Sequence, residues 1–195
     1  IEYIYDYVED MRTDCTQYLV GQDVKTYAEG AVNCLRENPD YILLGEARDA
    51  VTMGAALTLA ETGHSVSTTL HAPRGFLVFA RVVSMFEPKI QGHMKTRLAD
   101  MLNYIIFQQL VNDINGNKLA LREYVVFDKE ARAMLLSAHH NEVSTVLYDI
   151  FKTKGQLIND DIQNKYEQGL LDDKTYRELC ANYEISEHDL APVAQ

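Results

Sequence analysis

The hydrophobic and polar positions that follow residue 25 predict a helix and then a buried strand. Across 26–38 the apolar residues recur at helical spacing, and the segment ends at Asn38-Pro39, where proline stops a helix. Tyr41–Leu44 is too short for a helix and is apolar without alternation. This pattern favours a strand buried on both faces, as in parallel sheets that are covered by helices.

The next two segments repeat the same order. Ala47–Glu61 is rich in Ala, Leu and Met, which predicts a second helix, and Gly63 suits the left-handed position at its end. Ser65–Leu70 is β-prone through its valine and threonines. Together these pieces predict a strand, a crossover helix and a parallel strand, with a right-handed connection.

The segments that follow predict two helices and an antiparallel hairpin. Helical spacing covers 74–86 and 94–109, although β-branched residues weaken the end of the second segment. Asn115-Gly116-Asn117 is a strong turn signal between 108–114 and 118–127. We expect this antiparallel pair to close the sheet.

The rest of the chain predicts short helices, with breaks at Gly155 and Gly169. These helices cover 129–138, 143–152, 157–168 and 174–183. The expected fold class is therefore α/β, with a mostly parallel sheet, an antiparallel hairpin and a C-terminal helical region.

The composition is that of a globular and acidic protein. The 195 residues are 47% hydrophobic, which suits one domain, with or without a small appendage. The net charge of −11 argues against direct binding to DNA or RNA, because such binding needs a surplus of Lys and Arg. Residues 51–100 carry 3 acidic and 5 basic side chains, whereas residues 1–50 carry 11 and 4. A phosphate-bearing small molecule can still bind in this locally positive segment.

Cysteine usage and hydropathy indicate a reducing, cytoplasmic setting. Cys15, Cys34 and Cys180 are widely spaced and include no Cys-x-x-Cys pair, which argues against a zinc site and a disulfide framework. No apolar run reaches the ~18 residues needed to cross a bilayer, and the start of the chain does not look like a signal peptide. The sequence begins at Ile1 rather than Met, so we expect it to be a piece of a longer protein.

Two predicted strands each end beside a residue that is capable of chemistry. Glu46 follows the first strand, and His71 follows the second, 25 positions later. Ligands of open parallel sheets bind at the carboxyl ends of the strands, so we expect both side chains to face one pocket. There a carboxylate can polarise a water or hold hydrated Mg²⁺, and an imidazole can contact a terminal phosphate. The alternatives are that Glu46 only stabilises a helix N-terminus and that His71 is structural.

Other polar residues near these strands have simpler interpretations. His64 lies at the opposite end of the second strand from His71 and suits a cap on the preceding helix. Thr68 and Thr69 need hydrogen-bond partners in a mostly buried strand, which indicates that one end of the strand contacts water. Four arginines are candidates for phosphate or subunit contacts, although a single surface arginine is usually solvated or ion-paired. They are Arg36, Arg48, Arg74 and Arg81.

Three stretches together resemble the secretion ATPase superfamily, which includes the pilus-retraction motor PilT, type II secretion ATPases, and Dot/Icm-type and conjugative type IVB motors. They are Leu35-Arg36-Glu37-Asn38-Pro39-Asp40, Ile42-Leu43-Leu44-Gly45-Glu46-Ala47-Arg48-Asp49, and Glu61-Thr62-Gly63-His64 through Thr69-Leu70-His71. In that family the second stretch is an atypical Walker B box and the third is the histidine box. Ile1-Glu2-Tyr3 resembles the end of its aspartate box. The resemblance is strongest over 1–88 and implies a partial RecA-like P-loop NTPase core.

The resemblance implies a role in ATP hydrolysis for several residues. Glu46 would position the attacking water and the magnesium shell, and Glu2 would assist in the same site. His71 would contact the γ-phosphate region, and His64 would stand in the other half of the histidine box. The chain departs from the family at Ala72-Pro73-Arg74, where small hydroxyl residues are common, so the contacts expected there do not carry over.

Cofactors and partners follow from the same resemblance. It implies ATP and Mg²⁺ as cofactors, with Arg36 and Arg48 reaching toward the nucleotide or a neighbouring subunit. Members of the family work as hexamers, so we expect a homo-oligomer that acts with platform proteins of the inner membrane in a secretion, conjugation or pilus system. The expected location is the cytoplasm, peripheral to the inner membrane.

One part of such a site is absent from the sequence. A phosphate-binding loop needs the pattern G-x-x-x-x-G-K-[ST], and the chain contains no Gly-Lys dipeptide. In the family this loop precedes the aspartate box, so we expect the chain to be the C-terminal half of a motor domain. Residues 1–127 would be the C-terminal part of the RecA-like core, and 128–195 would form a helical subdomain. Alone, the chain is expected neither to bind ATP tightly nor to hydrolyse it.

A non-catalytic interaction module is the alternative function. The acidic helical tail, Asp160–Asp189, would then dock on a membrane-platform or partner protein, although a solvated helical surface explains the same composition. A catalytically retired paralogue has no support, because Glu2, Glu46 and His71 are all present.

Overall fold

The computed structural model describes residues 15–183, apart from the side chain of His140. The chain forms two compact units that divide between His71 and Ala72. The domains predicted from the sequence, 1–127 and 128–195, do not coincide with these units and stay a prediction.

The first unit has the predicted order of helices and strands. It consists of α1 (Tyr27–Glu37), β1 (Tyr41–Leu44), α2 (Ala50–Glu61) and β2 (Ser65–Thr68). The Thr26 hydroxyl accepts the Glu29 N–H at 3.1 Å at the start of α1, and Asn38 ends the helix with a left-handed φ of 50°. Gly63 follows α2 with a φ of 96°, as expected for a glycine at a helix end. The helix bounds are thus set by local caps.

The strands β1 and β2 are parallel, as predicted, and their register ends with Leu44 opposite Thr68. The expected burial of β1 on both faces is wrong. Ile42 and Leu44 are buried, whereas Tyr41 and Leu43 are 57% and 56% exposed. Side chains alternate between the two faces of a strand, and the described residues of this unit cover only one of those faces.

The core of the first unit lies around α2, which packs against α1 and β2. Its buried apolar side chains are Val24, Ala31, Ile42, Leu44, Ala47, Met53, Ala56, Leu57 and Leu59. Nearly half of them belong to α2, whose apolar residues run around the helix rather than along one stripe. This distribution is typical of a helix that is buried between other elements.

The second unit combines helices with an antiparallel sheet. Its elements in chain order are a 3-10 turn (Gly75–Leu77), α3 (Val78–Ser84), α4 (Gln91–Met101), β3 (Tyr104–Asn112), β4 (Lys118–Val126), α5 (Lys129–Ser137), a second 3-10 turn (His140–Glu142), α6 (Val143–Lys154), β5 (Gly155–Gln156), α7 (Ile158–Glu167) and α8 (Asp173–Asn182). The helices α5 to α8 lie where the sequence predicts them, within about two residues at each end. Between residues 15 and 183, no helix is long and apolar enough to cross a membrane.

The strands β3 and β4 pair along their full length in the predicted hairpin. Gly116 makes the turn with a φ of 81°, and the Asp113 carboxylate accepts the N–H groups of Asn115 and Asn117, both at 2.8 Å. The expectation that this hairpin closes the parallel sheet is wrong, because β4 pairs with β5 in a separate sheet of order β3-β4-β5. The predicted mostly parallel sheet is therefore wrong for the described residues, where the parallel sheet has two strands and the antiparallel sheet has three.

The helix predicted over 94–109 is in fact two elements. The helix α4 ends at Met101, the backbone becomes extended at Leu102 with a ψ of 119°, and β3 begins at Tyr104. The β-branched pair Ile105-Ile106 favours a strand, and pairing with β4 gives its backbone groups their partners.

A buried ion pair joins the start of the second unit to its hairpin. Arg74 Nη2 lies 2.8 Å from Glu123 Oε2, and Arg74 Nε donates to the same oxygen at 3.2 Å. The other carboxylate oxygen accepts the Gly75 N–H at 2.6 Å, and Oε2 also accepts the Ile158 N–H at 3.3 Å. Glu123 is fully buried. Arg74, considered above as a phosphate or subunit contact, therefore serves the fold of this unit instead.

The helices α7 and α8 pack against the hairpin through a cluster of buried apolar side chains. Its members are Leu121, Ile158, Ile162, Leu171 and Leu179. The buried Asp161 carboxylate accepts the Arg122 N–H at 2.9 Å, which ties α7 to β4. The predicted helical region thus shares its core with the hairpin.

Candidate functional site

The carboxyl ends of β1 and β2 lie side by side, because the two strands are parallel and in register. Two hydrogen bonds continue this contact beyond the strands. The Ala47 N–H donates to the Thr69 carbonyl oxygen at 2.9 Å, and the Thr69 hydroxyl donates to the Gly45 carbonyl oxygen at 2.5 Å. Glu46 therefore sits between two residues that are both bonded to the end of β2.

The Glu46 carboxylate lies between a guanidinium and an imidazole. Arg48 Nη2 is 2.7 Å from Glu46 Oε2, and His71 Nε2 is 3.5 Å from Glu46 Oε1. The side chain of Glu46 is 19% exposed, whereas those of Arg48 and His71 are 66% and 90% exposed. The predicted meeting of Glu46 and His71 at one edge of the sheet is confirmed by this distance. The chemical roles of the two residues stay predictions.

The charge state of Glu46 follows from these neighbours. The hydrogen bond from Arg48 lowers the pKa of Glu46 below its ordinary value, and the positive charges of Arg48 and His71 add to this effect. Partial desolvation acts in the opposite direction but does not prevail. Glu46 is therefore an ionised hydrogen-bond acceptor at neutral pH, and it binds protons weakly.

The segment that carries Glu46 continues directly into α2. Asp49 is the N-cap of this helix, and its carboxylate accepts the Thr52 N–H at 2.8 Å. This hydrogen bond lowers the pKa of Asp49 and explains why α2 begins at Ala50, three residues later than predicted. One alternative for Glu46 was that it only stabilises a helix N-terminus. Asp49 occupies that position at the start of α2.

Two other residues named from the sequence, His64 and Arg36, are not brought to this edge. His64 precedes β2 at its amino end, and its Nδ1 lies 3.2 Å from both the Leu59 carbonyl oxygen and Thr62 Oγ1. This position agrees with the predicted cap on the preceding helix. Arg36 is exposed in the last turn of α1, ahead of the amino end of β1. Glu2 lies outside the described residues.

Thr69 lies at this edge, although the sequence assigned it no role in the site. Its hydroxyl and its carbonyl both bond to the segment that carries Glu46. The signal was present as two adjacent threonines that needed hydrogen-bond partners. The sequence could not identify Gly45 as the partner of the Thr69 hydroxyl, because the two residues are 24 positions apart.

The donor set at this edge does not form a closed metal site. Within residues 15–183, no group of three or more His, Cys, Asp or Glu side chains is placed to hold a metal ion. A single carboxylate such as Glu46 suits Mg²⁺ that keeps most of its waters, because this ion commonly binds through one or two carboxylates and the phosphates of a substrate.

The comparison with known families identifies the family of the chain. Residues 1–156 match the family described as type II/IV secretion system protein. The chain belongs to this family. The resemblance to secretion ATPases that the three sequence stretches indicate is therefore confirmed. Relatives include the type IV pilus retraction ATPase PilT of Pseudomonas aeruginosa, which is 31% identical over 157 residues, or 80% of this chain and 44% of PilT.

Solved structures of the same family have a similar fold. The ATPase DotB of Legionella pneumophila superposes with a TM-score of 0.79 at 36% identity, covering 82% of this chain and 43% of DotB. The pilus retraction motor PilT with bound ADP superposes with a TM-score of 0.73 at 28% identity, covering 86% of this chain and 46% of PilT. The chain spans less than half the length of these relatives.

Proposed function

We propose that the chain is the C-terminal part of a RecA-like motor domain that hydrolyses ATP to drive a secretion, conjugation or pilus machine. One observation carries the proposal: the Glu46 carboxylate stands 2.7 Å from Arg48 and 3.5 Å from His71 at the carboxyl ends of two parallel strands. Ligands of open α/β sheets bind at this edge. Relatives described as ATPases supply the class of reaction.

The side chains at this edge suit an orienting role. Ionised Glu46 accepts a hydrogen bond from the attacking water and aims it at the terminal phosphate, while its lowered pKa keeps it from holding a proton. His71 donates through Nε2 to a phosphate oxygen, and its side chain is 90% exposed. Glu2 assists at the same site, and His64 supports the histidine box from the other end of β2.

We expect Mg²⁺ to bind at this edge together with ATP rather than alone. Bound together with the nucleotide, Mg²⁺ supplies charge neutralisation at the phosphates. Glu46 would hold the magnesium shell through water, as Mg²⁺ commonly binds through one or two carboxylates and the phosphates of a substrate. The 195 residues contain no Gly-Lys dipeptide, so the loop pattern that binds a triphosphate is not among them.

Assembly and location belong to the same proposal. The protein works as a homo-oligomer, most simply a hexamer, in which Arg48 and Arg36 reach the nucleotide or a neighbouring subunit. Both arginines are exposed, which such contacts require. The motor acts from the cytoplasm on platform proteins of the inner membrane, without direct contact with nucleic acid. Support comes from relatives named as pilus and secretion proteins.

The test is the substitution Glu46→Gln in the complete reading frame that contains this chain. Removing the carboxylate charge is expected to lower the ATP turnover number about 100-fold or more, because the attacking water loses its negatively charged acceptor. Binding of a fluorescent ATP analogue is expected to persist. The matched control is Glu87→Gln, which changes an exposed carboxylate in the second unit. Turnover by Glu46→Gln at the unsubstituted rate would contradict the proposal, and turnover by the 195-residue chain alone would contradict its partial nature.

The alternative of a docking tail has less support. Several of its acidic side chains have partners inside the fold: Asp161 accepts the Arg122 N–H, Asp160 accepts the Leu157 N–H at 3.1 Å, and Asp172 caps α8. These carboxylates hold the helices in place and are less available for a partner. Residues 184–189 of that tail lie outside the described residues, so docking by Asp160–Asp189 stays a prediction.

A further inference from the structure

Thr69 connects the two strand ends that carry Glu46 and His71. Its hydroxyl donates to the Gly45 carbonyl oxygen at 2.5 Å, and its own carbonyl accepts the Ala47 N–H at 2.9 Å. We propose that Thr69 is a positioning residue, which holds the Glu46 carboxylate toward His71 for ATP hydrolysis. This inference rests on the function proposed above, and it adds a residue that does not touch the reacting atoms.

The two hydrogen bonds hold Glu46 from both sides. The Gly45 carbonyl belongs to the peptide unit before the Glu46 Cα atom, and the Ala47 N–H belongs to the unit after it. Each peptide unit is planar, so restraining both units also restrains the direction of the Cα–Cβ bond between them. Thr69, which follows β2, thereby restrains the direction of the Glu46 Cα–Cβ bond.

The two charged neighbours restrain the Glu46 carboxylate weakly. Arg48 and His71 are 66% and 90% exposed, and exposed partners of this kind hold a charge loosely, because they lose conformational freedom when they do so. The backbone of 45–47 therefore contributes to where the carboxylate lies, together with the packing that leaves the Glu46 side chain 19% exposed.

Thr69 is also suited to this role by its chemistry and its place in the chain. A β-branched side chain has few rotamers, so its hydroxyl is presented in a defined direction. Thr69 precedes His71 by two residues, and the same short segment therefore carries the imidazole. We expect the 3.5 Å separation of Glu46 Oε1 and His71 Nε2 to depend on the two hydrogen bonds that Thr69 makes to Gly45 and Ala47.

The experiment compares Thr69→Val, which keeps the shape and removes the hydroxyl, with Thr69→Ser, which keeps the hydroxyl. Both are made in the full-length protein, and ATP hydrolysis is measured. We expect Thr69→Val to lower kcat about 10- to 100-fold, with KM for ATP changed less than about twofold. Thr69→Ser is expected to keep most of the unsubstituted kcat, because it retains the hydroxyl. The matched control is Thr96→Val in the second unit, because the exposed Thr96 hydroxyl also donates to a glycine carbonyl oxygen, that of Gly92 at 3.3 Å within α4. Unchanged kcat in Thr69→Val would overturn the inference.

Hydrogen exchange separates positioning from a general loss of stability. In Thr69→Val the Ala47 amide is expected to exchange about fivefold faster or more, whereas the Leu57 amide in the middle of α2 keeps its rate. Equal acceleration at both amides, or none at Ala47, would overturn the inference. If the unsubstituted protein hydrolyses no ATP, the proposed function fails, and the exchange contrast alone decides whether Thr69 positions Glu46.

Discussion

Two carboxylate–arginine pairs of almost equal length have opposite surroundings in the two units. Glu46 and Arg48 lie 2.7 Å apart in the first unit, and Glu123 and Arg74 lie 2.8 Å apart in the second. The side chains of the first pair are 19% and 66% exposed, whereas those of the second are 0% and 7% exposed. An ion-pair distance therefore does not indicate what a pair is for. Access to solvent and ligand separates the two cases.

The remaining partners of each carboxylate sharpen this difference. Glu123 accepts backbone N–H groups from Gly75 and Ile158 in addition to its arginine, so its oxygens are committed to the fold. Glu46 faces two exposed side chains, which can rearrange around a ligand at low cost. The first unit thus presents a charge between two exposed side chains, and the second uses one to hold its hairpin in place.

The largest effect is expected from removing the buried carboxylate. Glu123→Ala leaves the Arg74 charge buried without its partner, which is expected to lower the free energy of unfolding by about 3–5 kcal/mol. Urea unfolding followed by circular dichroism measures this loss. The matched change in the first pair, Glu46→Ala, is expected to shift the unfolding midpoint far less, because the Arg48 side chain that it leaves is 66% exposed. Equal losses in the two variants would remove the distinction between the pairs.

A smaller effect is expected at the glycine that contacts the buried pair. A Cβ atom added at Gly75 would lie 2.9 Å from both Glu123 Oε1 and Phe151 Cζ, and both of these side chains are fully buried. Gly75→Ala is therefore expected to lower the free energy of unfolding by about 1–3 kcal/mol, because the neighbours have little room to move. Gly92→Ala in α4 is the control, since no atom lies within 4 Å of its added Cβ. A stable Gly75→Ala variant would mean that the packing around Glu123 is looser than described.

The smallest effect on stability, but a direct one on charge, is expected from Arg48→Gln. The arginine is the main cause of the lowered pKa of Glu46, so its removal is expected to raise that pKa toward the ordinary value. A lowered pKa in the folded state stabilises the protein above the unfolded-state pKa of the group, and this contribution is lost as the pH falls through the folded-state pKa. In Arg48→Gln, the stability that Glu46 contributes is therefore expected to change less as the pH falls through the acidic range.

Carboxyl carbon NMR of Glu46 across the acidic range measures this shift. Arg36→Gln in α1 is the control, because it removes the same charge at a residue that does not contact Glu46. A Glu46 pKa that stays low in Arg48→Gln would assign the lowering to another neighbour.

Local signals explain why most elements could be predicted. Thr26, Asn38, Gly63 and Gly116 cap or turn the chain through contacts within a few residues, so the bounds of α1, the end of α2 and the hairpin turn follow from the sequence. The error over 94–109 has the opposite origin. Its apolar residues keep a helical spacing into the start of β3, and pairing with the distant strand β4 adds to the β-branched signal of Ile105-Ile106 to make a strand there.

The sequence by itself determined the helix-strand order of the first unit and the placement of Glu46 and His71 after their strands, because periodicity and caps act locally. Only the tertiary structure decided that the Thr69 hydroxyl bonds to Gly45, 24 positions away, and that Arg74 pairs with Glu123, 49 positions away. It also decided that β1 has one exposed face and that the hairpin belongs to a second sheet. Such contacts depend on which distant segments fold against each other, and no local pattern of residues specifies that.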